Sequence, residues 1–309
     1  MSHIMLLLFH GAGSRLPRMT SAKTTCNFRP LSANCSAANG NVRPNNGFVL
    51  WRRCLYLQLA GSVIAIMTTA AILTEKNQSA LELIEQIRRE NDVRRMLQRP
   101  FFSHIKQNRM SQEQLREFFL QYFSIVQTSW RMLAVGIASA PQADLDVVMH
   151  LVRFLETEAG GSPNHAGYYF RWAEAFGVST DDLLAAQPNR KSRAFEETLM
   201  GYFQTSDSLM KQAAQFGTED CAEVLIEGLN NGFQWFPMNA RAYGYLAIHR
   251  LLENDEEGHS RWAIDGLAKS PQLHARREEI ESIYRNVYRA FTGVFDGIYD
   301  AWNLPGASA

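Results

Sequence analysis

Apolar residues recur at helical spacing along nearly the whole chain beyond residue 75. The stretch 111–130 shows this most clearly, because its large apolar residues recur every three or four positions on one helix face. Those residues are Leu115, Phe118, Phe119, Tyr122, Phe123, Val126 and Trp130. Alternating β-branched runs of strand length are absent from this part of the sequence. The pattern therefore predicts an all-α domain of about seven to eight helices with short connections.

Prolines, glycines and capping residues predict where these helices begin and end. Ser111 and Gln114 have the pattern of a capping box, which opens the helix that Pro141 ends. Gly217 is interpreted as the end of one helix and Thr218 as the start of the next. The other predicted helices cover residues 75–99, 144–158, 163–176, 192–216, 218–233, 239–267 and 273–302, with a short turn of helix at 181–186.

Residues 1–66 differ in composition from the rest of the chain. They contain seven basic residues, no Asp or Glu, and no helical or strand periodicity. Three explanations stay open: a stretch upstream of a true start at Met67, an organelle transit segment, or a membrane anchor formed by Cys54–Thr74. We therefore predict that the helical domain covers residues 67–309. A cytoplasmic location is expected, with organelle targeting or membrane anchoring through residues 1–74 as the alternatives.

A chain that begins at Met67 is expected to fold with unchanged helix content and an unchanged thermal midpoint. The reason is that residues 1–66 carry no pattern that would place them in the core. Circular dichroism and thermal unfolding of the truncated and full-length chains measure this. Loss of soluble, folded protein on truncation would show that the leading segment is integral to the fold.

Charge and cysteine content narrow the function classes. The formal net charge is zero, but removing the seven basic residues of 1–66 from 31 leaves 24 basic against 31 acidic residues, a net −7. Such a body lacks the basic surface that nucleic-acid binding requires, so no nucleic-acid partner is expected. Cys221 is the only cysteine beyond residue 66. An internal disulfide is therefore excluded there, which favours a reducing compartment.

Glu158 and His165 flank a predicted helix break. The glycines at 160–161 stop the first helix, and Ser162-Pro163 restarts it with a cap and a proline at the first helical position. The break places a carboxylate near an imidazole at a helix start, which is half of a metal site. The alternative is an ordinary solvated glutamate and a surface histidine.

A second group of candidate ligands lies between His249 and His259. Glu256 and Asp255 precede His259 by three and four residues, so each shares a helix face with it. A carboxylate three residues from a histidine is how helical bundles build two-metal sites. Glu223 and Glu227 lie on a largely apolar helix between the two groups. Together these residues predict a metal site made by Glu158, His165, Glu227, Glu256 and His259, with His249, Asp255 and Glu223 as further candidates.

The segment Glu158-Ala-Gly-Gly-Ser-Pro-Asn-His165 resembles the E-x6-H element of the haem-oxygenase-like dimetal oxidases. Their superfamily also contains thiaminase II and pyrroloquinoline quinone synthase, and the resemblance runs from about Leu81 to Trp302. It implies a haem-oxygenase-like helical bundle. Family members also use a glutamate on a middle helix, for which Glu227 is the best match and Glu223 the second.

The third family motif, H-x3-D-x2-H, is not matched fully. Aligning its last histidine on His259 places Glu256 at the aspartate and Leu252 at the first histidine, and leucine cannot bind a metal. His249 lies about one helical turn earlier and is the substitute that this register offers. The number of metal ions, one or two, therefore stays open.

The resemblance implies an oxidoreductase with two Fe(II) ions that uses O2 to oxidise a small amine, amino-acid-derived or fatty-acid substrate. The expected partners are this substrate, an unidentified electron donor and, as one alternative for assembly, a second copy in a homodimer. Two other functions stay open. One is metal-free, thiaminase II-like hydrolysis with Cys221 as nucleophile, and the other is a degenerate binding scaffold.

Overall fold

The computed structural model describes residues 76–107, 110–160, 164–254 and 258–303, which are helices joined by short connections. The prediction of an all-α fold is confirmed for these residues. Their helices are α1 (76–90), a 3₁₀ helix (Val93–Gln98), α2 (Pro100–Ile105), α3 (Gln112–Ser139), α4 (Leu145–Ala159), α5 (His165–Ala175), α6 (Thr180–Ala185), α7 (Arg190–Gln204), α8 (Ser208–Phe233), α9 (Ala240–Asn254), α10 (His259–Ala268) and α11 (Arg277–Asn303).

Helix α8 occupies the centre of the described helices. It packs against α7, α9, α10 and α11, and most of its residues are buried on every side. Helix α3 packs against α7 and α4, while α5 packs against α9. A helix enclosed in this way buries its polar residues as well as its apolar ones, so each buried acid on α8 requires a partner.

The aromatic face of α3 packs into the core as predicted, with one exception. Phe118, Phe119 and Tyr122 are almost fully buried, and Phe119 meets Trp172 of α5 edge to face at 4.9 Å between ring centroids. Trp130, predicted on the same face, is 38% exposed. Met132 and Leu133 are buried again, so the core-facing side of α3 continues beyond Trp130, and Trp130 lies at its edge.

The predicted capping box at the start of α3 is confirmed. The Gln114 backbone N–H donates to Ser111 Oγ at 3.2 Å, and the Ser111 N–H donates to Gln114 Oε1 at 2.9 Å. These bonds satisfy backbone donors that a helix start otherwise leaves without partners.

The predicted boundary at Gly217 is wrong. Helix α7 ends at Gln204, and α8 begins at Ser208 with Asp207 as its cap, accepting from the N–H groups of Leu209 and Met210. Gly217 lies inside α8, where a Cβ would stand only 3.3 Å from the Val287 side chain of α11. The glycine serves close helix packing here and not helix termination. Residues 218–220 consequently lie in the middle of a buried helix.

The described helices outnumber the predicted seven to eight. Helix α2 was not predicted, and the segment predicted as one helix at 239–267 contains both α9 and α10. Helix α6 corresponds to the predicted short turn of helix at 181–186. Gly258 is the N-cap residue of α10. His249 and His259 therefore belong to different helices.

Within the described ranges, no helix is long and apolar enough to cross a membrane. The predicted leader 1–66 and the predicted anchor Cys54–Thr74 lie outside the described residues, so both stay predictions.

Candidate metal centre

Five acidic or histidine side chains from five helices form one cluster, which we call the donor cluster. Its members are Glu158 at the end of α4, His165 at the start of α5, Glu219 in the middle of α8, His249 on α9 and His259 at the start of α10. Three of these residues, Glu158, His165 and His259, belong to the predicted five-residue site, and His249 was a further candidate. The fifth, Glu219, was not predicted.

The break between α4 and α5 brings Glu158 and His165 together. Gly160 follows α4 in an extended conformation, where a Cβ would lie 2.2 Å from the Glu156 carbonyl oxygen, so only glycine fits. Asn164 caps α5, because its side chain accepts from the Gly167 N–H at 2.8 Å. Asn164 thus has the role predicted for Ser162, and residues 161–163 lie outside the described ranges.

The Nδ1 atom of His165 lies 3.0 Å from Oε2 of Glu158. This contact does not have the geometry of a hydrogen bond, so the buried Nδ1 of His165 has no hydrogen-bond partner among the described residues. Buried polar atoms in native proteins are nearly always bonded to a partner, an ion or water. A cation shared by the two side chains would satisfy both atoms.

His249 packs beside His165, with ring centroids 4.8 Å apart. Its Nδ1 atom lies 2.9 Å from the Tyr245 carbonyl oxygen one turn earlier. A carbonyl can only accept, so Nδ1 carries the proton and Nε2 carries the lone pair. This is how a metal-binding histidine is commonly oriented.

Glu219 and His259 form the other side of the cluster. Oε2 of Glu219 lies 3.7 Å from Nδ1 of His259, and Gln215 donates a hydrogen bond to Oε1 of Glu219. The ring of His259 lies 6.2 Å from that of His165, centroid to centroid. The donor cluster therefore contains two neighbouring pairs of side chains, Glu158 with His165 and Glu219 with His259.

The two buried carboxylates have pKa values shifted in opposite directions. Burial, together with the charge of Glu158, raises the pKa of Glu219 to about 8. Burial also acts to raise the pKa of Glu158, but interactions with His165, His249 and His259 outweigh it and lower this pKa to about 2. Burial lowers the pKa values of His249 and His259 to about 4. Without a cation, Glu219, His249 and His259 are therefore mostly neutral near pH 7, and Glu158 carries a negative charge.

These shifts predict a stability maximum near neutral pH for the metal-free protein. His150, His249 and His259 have pKa values lowered from 6.5 to about 4, so the unfolded state binds more protons in that window and stability falls with falling pH. Glu219 acts in the opposite sense, since its pKa is raised from 4.5 to about 8, and its contribution is lost as pH rises towards 8. Urea unfolding across pH 4–8 measures both effects. Glu219→Gln should remove the alkaline decline, and an unchanged decline in that variant would contradict the assignment.

A cavity of about 60 Å³ adjoins the donor cluster. Glu158, His165, Glu219 and His249 line one side of it. The other lining residues are mostly apolar: Ile125, Val126, Met132, Leu133, Ala222, Leu225, Ile226 and Phe291, with Ser129 and Thr218 among them. Tyr122 and Tyr245 also line the cavity, with their hydroxyl oxygens 2.9 Å apart. A small, mostly apolar molecule could therefore lie beside the cluster.

Glu227, the predicted middle-helix ligand, is not part of the cluster. It accepts from Arg94 at 2.7 and 2.9 Å, and its side chain is 43% exposed. Glu219 precedes it by eight residues, which places the two carboxylates about 12 Å apart along the axis of α8. Glu223 lies between them, partly exposed, and accepts from Ser260 at 3.3 Å. Glu219 was passed over because the predicted helix end at Gly217 placed it in the first turn of a new helix.

His249 is a member of the donor cluster, although the sequence register placed Leu252 at the ligand position. On one helix, residues ten positions apart would not share a face, but His249 and His259 lie on different helices, α9 and α10. Asp255 and Glu256 lie outside the described residues, and their predicted roles stay predictions.

Cys221, the alternative nucleophile, is not part of the donor cluster. Its side chain is fully buried and is not among the residues that line the cavity. Burial and the neighbouring Asp220 raise the pKa of its thiol well above the usual value. A thiol in this environment is poorly suited to act as a thiolate nucleophile.

The donor types suit a non-haem iron site. Carboxylate and imidazole ligands fit Fe(II), and the unbonded Nδ1 of His165 is a buried donor that a cation would satisfy. In the described part of the chain, no three such side chains already converge on one point in the manner of a finished metal site. The donors lie in two pairs, and residues 255–257, which include two predicted ligands, lie outside the described residues.

No protein-family profile matches this chain. It is 24% identical over 213 residues to a 4-aminobenzoate synthase of Chlamydia muridarum, covering 66% of this chain and 88% of that protein. A 4-aminobenzoate synthase of Chlamydia trachomatis is also 24% identical, over 61% of this chain and 83% of that protein.

Solved structures share the arrangement of helices. A TenA homologue of Pseudomonas syringae gives a TM-score of 0.58 at 13% identity, covering 70% of this chain and 92% of that chain. A domain with a haem oxygenase-like fold from Shewanella denitrificans also gives 0.58, at 11% identity over 77% and 96% of the two chains. The TenA homologue of P. horikoshii gives 0.57 at 13% identity, over 71% and 98%. The chain therefore has the all-helical, haem-oxygenase-like fold of the TenA homologues.

Proposed function

We propose that this chain is a non-haem iron-dependent oxidase that uses O2 to oxidise a small amine or amino-acid-derived substrate. The observation that carries this proposal is the donor cluster, in which buried His165, Glu219 and His259 lie beside partly buried Glu158 and His249. All of them except His259 line a small cavity. A solvated acidic surface would not bury two histidines and a glutamate together.

Glu158, His165, Glu219, His249 and His259 are the residues proposed to hold iron. Carboxylates and neutral imidazoles are ligands for Fe(II) in sites that react with O2. When bound, iron would supply the activation of O2, with electrons from an external donor. The chain supplies the rest: the Tyr245 carbonyl fixes the ring of His249, and the mostly apolar lining of the cavity keeps water from the reacting centre.

Two features favour one of the predicted substrate classes. The cavity volume is not one of them, because about 60 Å³ is less than the roughly 150 Å³ that holds a benzene ring, so the cavity fits O2 or one substituent of a substrate. The hydroxyl pair of Tyr122 and Tyr245 offers hydrogen bonds to a polar substituent. The name of the Chlamydia relatives, 4-aminobenzoate synthase, is consistent with chemistry on a small nitrogen-containing compound.

Iron analysis of protein loaded with Fe(II) under anaerobic conditions tests the proposal. We expect between one and two iron atoms per chain and O2 consumption after a reductant is added. Cys221→Ser should leave both unchanged, because the thiol is buried away from the cavity. Absence of iron, combined with hydrolytic activity that this substitution abolishes, would instead support the thiaminase II-like alternative.

A further inference from the structure

Thr157 lies between the donor cluster and the backbone of α4. Its hydroxyl oxygen is 2.7 Å from the Phe154 carbonyl oxygen and 3.0 Å from Nε2 of His259. Thr157 directly precedes Glu158, so the last turn of α4 contacts the cluster through two consecutive side chains.

The contacts of this hydroxyl determine which nitrogen of His259 carries a proton. The carbonyl of Phe154 can only accept, so the single hydroxyl proton of Thr157 is donated to it. The hydroxyl oxygen then faces Nε2 of His259 with a lone pair and must accept from it. Nε2 of His259 is therefore protonated.

A neutral imidazole has one N–H, so Nδ1 of His259 carries the lone pair. Nδ1 is the atom that lies 3.7 Å from Oε2 of Glu219. The nitrogen with the lone pair thus stands beside the carboxylate of the neighbouring helix.

We propose that Thr157 is a positioning residue that holds His259 in the Nε2–H tautomer and so presents Nδ1, beside Glu219, to a cation. The part of this proposal that concerns the cation rests on the proposed function, whereas the tautomer follows from the contacts alone. His249 provides an internal contrast, because its Nδ1 donates to the Tyr245 carbonyl and its Nε2 carries the lone pair. The two histidines are fixed in opposite tautomers.

Nitrogen-15 NMR of histidine-labelled, metal-free protein near pH 7 tests the tautomer directly. We expect His259 as the Nε2–H form and His249 as the Nδ1–H form. Thr157→Val, which keeps the shape but loses the acceptor, should shift His259 towards a mixture of tautomers. Thr157→Ser should restore the Nε2–H form. Finding Nδ1–H at His259 in the unmodified protein, or no change in Thr157→Val, would overturn the proposal.

Fe(II) binding by titration calorimetry under anaerobic conditions tests the role towards a cation. Loss of an orienting partner of this kind should weaken binding by about 10–100-fold in Thr157→Val, with recovery in Thr157→Ser. Thr128→Val is the matched control, since Thr128 donates to a backbone carbonyl at 2.7 Å in the same way but lies on α3. Equal affinity in Thr157→Val and Thr128→Val would overturn this role. If the unmodified protein bound no Fe(II), both this role and the proposed function would fail, while the NMR result would still decide the tautomer.

Discussion

Glu219→Ala is expected to reduce Fe(II) affinity by about 100-fold or more, whereas Glu227→Ala should leave it unchanged. Glu219 is buried against His259 and lines the cavity, so its removal would delete one of the proposed iron ligands. This loss is a lower bound, because replacing a residue that only orients a ligand already weakens metal binding by about 10–100-fold. Glu227 pairs with Arg94 at the surface and touches no member of the donor cluster.

Metal analysis after gel filtration, with circular dichroism to show that both variants are folded, measures this difference. The two glutamates lie on the same helix, so a general effect of shortening a side chain on α8 is controlled. Iron loss in Glu227→Ala with retention in Glu219→Ala would support Glu227 as the middle-helix ligand and contradict the proposed role of Glu219.

Asp220→Ala is expected to destabilise the protein by about 3 kcal/mol. Asp220 is 2% exposed and accepts from Arg88 at 2.6 and 2.9 Å, and it also accepts from the Tyr284 hydroxyl. Removing one partner of a buried ion pair costs about 3–5 kcal/mol, and the lower value applies because the Arg88 side chain is 30% exposed. The substitution also leaves the buried hydroxyl of Tyr284 without an acceptor.

Urea unfolding at pH 7 measures the loss, and Glu227→Ala again provides the comparison. It breaks the exposed pair with Arg94, which should cost under about 1 kcal/mol. Equal losses in the two variants would mean that the pair between Arg88 and Asp220 adds no more to stability than a surface contact.

Helical periodicity and capping signals were enough to predict the all-α class. The capping box at Ser111 and the aromatic face of α3 depend on neighbouring residues, so local sequence determines them. Glu158 and His165 were also found from sequence, because a glycine-containing break between a glutamate and a histidine is a local signal. Their contact at 3.0 Å follows from that break.

Glu219 could not be found in this way, because its role depends on tertiary packing. Gly217 is an ordinary helix-end signal in sequence, and only the close approach of α11 explains a glycine inside α8. Once a helix end is assumed there, Glu219 falls in the first turn of a new helix, and Glu227 becomes the next available carboxylate. His249 was undervalued because whether residues 239–267 form one helix or two is not determined by periodicity alone.

Glu158 and His259, two members of the donor cluster, are separated by on the order of 100 residues of chain. A cation held by both would bind the folded protein only, since the five helices bring their donors together only on folding. It would therefore stabilise the folded state by mass action, to an extent set by its free concentration. Iron supply would then influence how much folded protein persists in the cell, independently of any catalytic turnover.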